Sequence, residues 1–227
     1  MSSPTRTERP TALDLVDLAE TERAGTERLA AGAVVLRRFA SDREAELLSE
    51  ISGVASAAPF RRMLTPGGRQ MSVAMTNSGT VGWVTDLRGY RYDPVDPDSG
   101  RPWAPMPQAI RTLAIDAAEA AGYRKFEPDA CLINRYEPGT RLSLHQDRDE
   151  RNLNAPVVSI SLGLPAIFLF GGSERAQRPQ RVRLVSGDVV VWGGRSRLAF
   201  HGVAALEDGV HPAAGPCRIN LTIRHAL

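Results

Sequence analysis

The chain holds a single lysine, Lys125, so almost every positive charge is an arginine, and a lone arginine is weak evidence of function here. Cysteine is nearly as scarce. Cys131 and Cys217 sit in strand-like runs and could pair, but buried free thiols in a reducing compartment are expected. No apolar run approaches the length of a membrane span. The opening MSSPTRTERPTALD lacks the apolar centre of a signal peptide, so a cytoplasmic protein with no membrane partner is expected. Neither a phosphate-cradling glycine loop before a helix nor an alternating strand–helix pattern occurs, which disfavours kinases and dehydrogenases. There are only four histidines, so their placement carries information.

What is present is an ordinary soluble composition on a chain long enough to bury a sizeable core. A net charge of +2 permits a nucleic-acid partner without demanding one. Residues 1–22 read as a flexible arm and 23–227 as a single domain. AGAVVLRRF reads as a strand. It runs into SDREAELLSEIS, where Ser41 and Glu44 form a capping box and Leu47, Leu48 and Ile51 share a helix face. From about 59 to 107 the chain is rich in Gly, Pro, Thr, Asp and Arg, with short strand candidates QMSVAMT and GYRYD. Loops of that length in a compact domain usually serve function.

A second helix, PQAIRTLAIDAAEAAG, buries Ile110, Leu113, Ala114 and Ala117 and stops at Gly122. From about 127 onward, short strands alternate with turn residues: DACLINRYEPG, LSLHQD, PVVSISLGLP, AIFLFGG, RVRLVSGDVVVWGG, RLAFHGVA, CRINLTIR. The expected fold class is mostly β with flanking helices, an antiparallel sandwich or barrel with helices packed outside.

LSLHQDRDE places His145 two residues before Asp147, so in a strand both project to one face while Leu142 and Leu144 point to the other. An imidazole and a carboxylate held side by side can share a metal ion. As a third ligand, His201 in the strand-like LAFHGV is preferred to His211 in a loop or His225 at the C-terminus, because strands position ligands rigidly. Two histidines and a carboxylate match the facial triad of non-haem Fe(II) oxygenases. The same pair alone also suits a surface ion pair or a hydrogen-bonded core histidine.

In CRINLTIR, Cys217, Ile219, Leu221 and Ile223 form one face, and Arg218, Asn220, Thr222 and Arg224 the other. That polar face suits either a solvated edge strand or a small dicarboxylate gripped by two guanidinium groups. Asn134 and Tyr136 in LINRY, again co-facial, suit the same ligand.

LINRYEPGTRLSLHQDRDE, SLGLPAIFLFGG, GDVVVWGGRSRLAFHG and CRINLTIR, in this order and spacing, resemble the AlkB family of iron(II)- and 2-oxoglutarate-dependent dioxygenases. The likeness runs from about Met71 to the C-terminus. It implies a double-stranded β-helix, or jelly roll, over about 127–227 and a nucleotide-recognition lid over about 59–107. It implies that His145, Asp147 and His201 bind Fe(II). Arg218 is then expected at the 2-oxoglutarate carboxylate near the metal and Arg224 at the distal one, helped by Asn134, Tyr136 and Asn220.

The implied reaction is oxidative demethylation of 1-methyladenine and 3-methylcytosine in single-stranded or flipped-out DNA or RNA. It consumes O2 and releases formaldehyde, succinate and CO2. Trp83 matches the family's base-stacking tryptophan, opposite the His145 ring. Met75, Tyr90 and Leu132 would line the pocket, and Asp149 would accept from the exocyclic amine. Candidates for phosphate contacts are Arg61, Arg62 and Arg88 together with the cluster Arg175, Arg178, Arg181 and Arg183, which also suits a solvated hairpin. A monomer is expected. The competing readings are a 2-oxoglutarate oxygenase acting on a protein or metabolite, and a non-enzymatic jelly-roll binding module.

Overall fold

In the computed structural model, which describes residues 24–227, a hairpin of β1 (Gly25–Ala30) and β2 (Ala33–Arg37) leads into helix α1 (Glu44–Ala57). The expected arm, residues 1–22, lies outside the described residues. Next come β3 (Ala74–Gly79), the hairpin β4 (Gly82–Asp86) and β5 (Gly89–Asp93), and helix α2 (Gln108–Ala120). The rest is β: β6 (Ala130–Tyr136), β7 (Leu142–His145), β8 (Val157–Gly163), β9 (Ala166–Phe170), β10 (Gln180–Leu184), β11 (Val189–Trp192), β12 (His201–Val203) and β13 (Arg218–Arg224).

Two antiparallel sheets face each other. The major sheet runs β1-β2-β11-β8-β13-β6-β3 and the minor sheet β10-β9-β12-β7. This is a mostly β jelly roll with flanking helices. No helix among the described residues is long and apolar enough to cross a membrane. Of residues 59–107, β3 joins the edge of the major sheet, while β4 and β5 form a separate two-stranded hairpin.

Alternation along the strands divides the core in two. Val35, Met75, Tyr136, Val190 and Trp192 face inward and pack on Phe168, Phe170 and Val203 of the minor sheet. Ile133, Ile160, Val191, Leu221 and Ile223 face outward and are covered by Leu47 and Ile51 of α1 and Ile110 and Leu113 of α2. Each large aliphatic side chain buried this way contributes about 1.5–3 kcal/mol.

β13 shows why the site lies where it does. It is no edge strand: β8 and β6 pair on either side and all seven residues are buried. Its apolar face meets the helices, so Arg218, Asn220, Thr222 and Arg224 are driven into the space between the sheets. Register then sets rows across that floor, with Tyr136 opposite Arg218 and Asn134 opposite Asn220.

Two local expectations change. Ser41 caps nothing: the chain enters α1 through a 3-10 turn, Ser41–Arg43, and Ser41 Oγ has no hydrogen-bond partner. Glu44 is thereby moved to the start of the helix proper, and its carboxylate accepts from Ser186 instead. The strand anticipated at QMSVAMT is also displaced toward the C-terminus, to Ala74–Gly79.

Candidate metal centre and adjoining pocket

Pairing of β7 with β12 brings two histidines face to face. His145 and His201 are register partners, and their ring centroids are 4.4 Å apart. Gly202 permits this approach, since a Cβ there would sit 2.6 Å from the Leu142 carbonyl oxygen. β7 carries one extra residue between the Leu142–Val203 and His145–His201 pairs. That bulge turns Leu142 onto the inner core, where simple alternation had pointed it away from His145.

Asp147 is not in the strand. β7 ends at His145, and residues 146–156 are irregular. The carboxylate nevertheless meets both rings: Oδ1 is 3.7 Å from His145 Nε2, and Oδ2 is 3.7 Å from His201 Nε2. One ligand atom from each of the three side chains lies within 4.8 Å of the other two.

The remaining ring nitrogens fix the tautomers. His145 Nδ1 is 2.9 Å from the Ser143 carbonyl oxygen, and His201 Nδ1 is 3.0 Å from that of Ala199. A carbonyl only accepts, so each Nδ1 carries the proton and each Nε2 keeps a lone pair for a metal. Burial, reinforced by His145, pushes His201 down to about 4. It is therefore neutral near pH 7, as a ligand must be. Burial opposes ionisation of Asp147, but Arg224 and the two histidines outweigh it and hold the carboxyl well below the usual range. Two imidazole nitrogens and one carboxylate are the donor set that suits Fe(II) with positions left open.

The two arginines of β13 exchange the places expected of them. Arg224, not Arg218, stands beside the metal ligands: its Nη2 and Nε donate to Asp147 Oδ2 at 2.7 and 3.0 Å. Arg218 lies against Ser161 Oγ at 3.0 Å, with its guanidinium carbon 5.2 Å from the centre of the Tyr136 ring. Alternation puts both arginines on one face but does not say which end of the strand meets the metal.

Arg218 is 1 % exposed, and neither its Nε nor its Nη1 has a hydrogen-bond partner. No carboxylate among the described residues pairs with it. Burial lowers its pKa, and a buried charge with orphan donors is costly unless an anion joins it. Asn134 Oδ1 is also orphaned, and burial pushes the Tyr136 phenol up to about 12, so it stays a neutral donor. Asn220 is occupied: its amide donates to Ser159 and Ile160, and its oxygen accepts from Thr222.

These groups and the three ligands line one cavity of about 620 Å³. Met75, Trp83, Tyr90, Leu132, Asp149 and Arg175 line it as well. Trp83 and Tyr90, both on the β4–β5 hairpin, stack with centroids 5.6 Å apart and planes 18° from parallel. Trp83 Nε1 donates to Asp149 Oδ2 at 2.9 Å, so the hairpin and the irregular segment meet at the cavity. Asp149 thus lies beyond the strand on which alternation had placed it. Arg175 reaches back over the Phe200 ring at 5.9 Å.

Arg61, Arg62 and Arg88 are engaged elsewhere, in ion pairs with Asp96 and Asp98, with Glu137 and with Asp86. Sequence reading passed over Arg141 and Arg148, which are exposed and line the cavity with no ion pair among the described residues. The arginine-rich composition hid them. It also missed Glu150 and Arg197, buried behind Asp147, whose partners come from separate parts of the chain.

Residues 32–224 match the 2OG-Fe(II) oxygenase superfamily. The chain is 56% identical over 212 residues to the alpha-ketoglutarate-dependent dioxygenase AlkB of Escherichia coli (strain K12), covering 93% of this chain and 98% of that protein. It is 45% identical over 183 residues to the AlkB homolog of Caulobacter vibrioides, covering 79% and 80% of the two chains. Among solved structures, that of OsALKBH1 superposes with a TM-score of 0.79 at 29% identity, over 88% of this chain and all of that one.

Proposed function

The chain belongs to the 2OG-Fe(II) oxygenase superfamily, and from that membership we propose that it strips N-alkyl groups from damaged bases in nucleic acid. Its cofactor is Fe(II), with 2-oxoglutarate and O2 as co-substrates. Nε2 of His145, Nε2 of His201 and the Asp147 carboxylate would hold the metal. When bound, the iron supplies O2 activation coupled to decarboxylation of 2-oxoglutarate, giving succinate and CO2 and oxidising an N-methyl group that leaves as formaldehyde.

The observation that carries this reading is Arg218: a buried guanidinium with two idle donors, in the same cavity as the metal ligands. A carboxylate placed there gains paired charge-assisted hydrogen bonds and removes the cost of an isolated charge. Arg218, the Tyr136 hydroxyl and the Asn134 amide nitrogen would therefore donate to the distal carboxylate of 2-oxoglutarate. Arg224 and Asn220 would shape the end nearer the metal.

The outer wall fits a flat cation. 1-Methyladenine and 3-methylcytosine are positively charged rings, favoured by an electron-rich aromatic face and a nearby carboxylate. Trp83 and Tyr90 supply the first and Asp149 the second, with Met75 and Leu132 as apolar lining. A base inside a duplex cannot enter such a pocket, so the substrate is a single strand or an extruded nucleotide of DNA or RNA. Arg141, Arg148 and Arg175 would meet its phosphates. The protein would work as a monomer.

The test is incubation of a single-stranded oligonucleotide carrying 1-methyladenine with the protein, Fe(II) and 2-oxoglutarate. Formaldehyde and succinate should appear together as the oligonucleotide loses its methyl mass. Succinate release with a peptide, and none with the oligonucleotide, would instead identify a protein hydroxylase.

A further inference from the structure

Asp147 presents a problem of support. A metal ligand needs a fixed position, yet this one lies in an irregular segment with no ladder to hold it. Its support comes from the side. Arg197, 3 % exposed, donates from Nη1 to the Asp147 backbone oxygen at 2.7 Å and from Nε to the Ala155 oxygen at 2.9 Å, near the two ends of the segment. Arg197 Nη2 lies 3.1 Å from Glu150 Oε2. The other Glu150 oxygen is 3.1 Å from Arg224 Nε, and Arg224 grips the Asp147 carboxylate. Tyr92 of the β4–β5 hairpin donates its hydroxyl to that same Glu150 oxygen at 2.7 Å.

From this closed circuit we propose that Glu150 and Arg197 are positioning residues for the metal ligand Asp147, with Tyr92 tying the substrate hairpin into the same set. Arg197 holds the peptide of Asp147 and Arg224 holds its carboxylate. Glu150 holds both arginines in place. Two buried arginines face two buried carboxylates, so the set is neutral and each charge is paired. A guanidinium suits 197 because two carbonyl acceptors and an ion-paired carboxylate in different directions need a fixed planar fork, which a lysine ammonium cannot reproduce. The proposal rests on the metal reading above.

Metal binding separates the two ideas. Mn(II), a spectroscopically visible stand-in for Fe(II), is titrated into metal-free protein and followed by electron paramagnetic resonance. Wild type should bind one ion. Glu150→Gln and Arg197→Lys should weaken binding by about 10- to 100-fold, the range seen when outer partners of metal ligands are removed, measured at a temperature where circular dichroism shows each metal-free variant still folded. Tyr92→Phe deletes one hydroxyl, folds whatever the fate of the other two, and should weaken binding by about threefold, consistent with one lost hydrogen bond. Folded variants with wild-type Mn(II) affinity overturn the positioning role and leave the metal site standing. Failure of wild type to bind Mn(II) at all overturns the metal reading itself.

Discussion

Arg224 and Asp147 lie 77 positions apart in the chain, yet a guanidinium nitrogen of one is 2.7 Å from a carboxylate oxygen of the other. That contact ties β13, an interior strand of the major sheet, to the segment leaving the minor sheet. It puts a positive charge beside the metal ligands, while Arg218 lies against Ser161 Oγ and the Tyr136 ring.

The two arginines should therefore fail differently. Arg218→Ala removes charge-assisted bonds worth about 1.5–3 kcal/mol, so the KM for 2-oxoglutarate should rise by about 10- to 100-fold, with metal affinity unchanged. Arg224→Ala should weaken metal and co-substrate together. Steady-state kinetics beside metal titration distinguishes them, and equal metal affinities in the two variants would contradict the placement.

His145→Ala should abolish succinate release from 2-oxoglutarate even without nucleic acid. It deletes one of only three metal donors, and no neighbouring His, Cys, Asp or Glu among the described residues completes the set. Succinate assayed with saturating Fe(II) checks this, and unchanged turnover would remove His145 from the ligand set.

Trp83→Ala should raise the oligonucleotide KM by about 5- to 100-fold, from the loss of about 1–3 kcal/mol of base stacking. The KM for 2-oxoglutarate should not move, because Trp83 touches the outer wall alone. Asp149→Asn should penalise cationic 1-methyladenine more than a neutral alkylated base, and competition between two such oligonucleotides measures that preference.

Arg141→Ala and Arg148→Ala should each reduce the salt dependence of oligonucleotide binding. Every lost phosphate contact lowers the slope of log K against log salt by about 0.7 for a single strand. Arg88→Ala, whose side chain is paired with Asp86, should leave that slope unchanged. Fluorescence anisotropy across a salt series provides the values.

Burial pushes the Cys131 thiol up to about 12, so at pH 8 almost none of it is thiolate. Because its pKa is raised, reactivity should grow only at strongly alkaline pH. A thiol reagent at pH 8 should leave Cys131 unlabelled in the native protein and label it in denaturant, as peptide mass spectrometry can show.

Much of this was legible where a periodicity could be read. The alternation of β13 separated Ile219, Leu221 and Ile223 from Arg218, Asn220 and Arg224 correctly, because a strand buried on both faces leaves no other arrangement. The stripe of Ile110, Leu113, Ala114 and Ala117 marked α2 for the same kind of reason. Legibility ended where periodicity did. A bulge reset the facing of Leu142, and a 3-10 turn took Ser41 out of capping position. Asp147 and Asp149 left the strand altogether. The Glu150–Arg197 pair has no local signature, since its geometry exists only after the segment folds back toward the hairpin.

The face-to-face register of His145 with His201 makes the ion a sensor of finished folding. Its two histidine donors come from strands far apart in the chain, and only the correct pairing of those strands brings the rings together. A chain whose β7 has slipped by one residue turns an imidazole out of the cavity, however complete its other layers are. Tight metal uptake should thus be among the last properties gained during refolding and the first lost when the smaller sheet loosens.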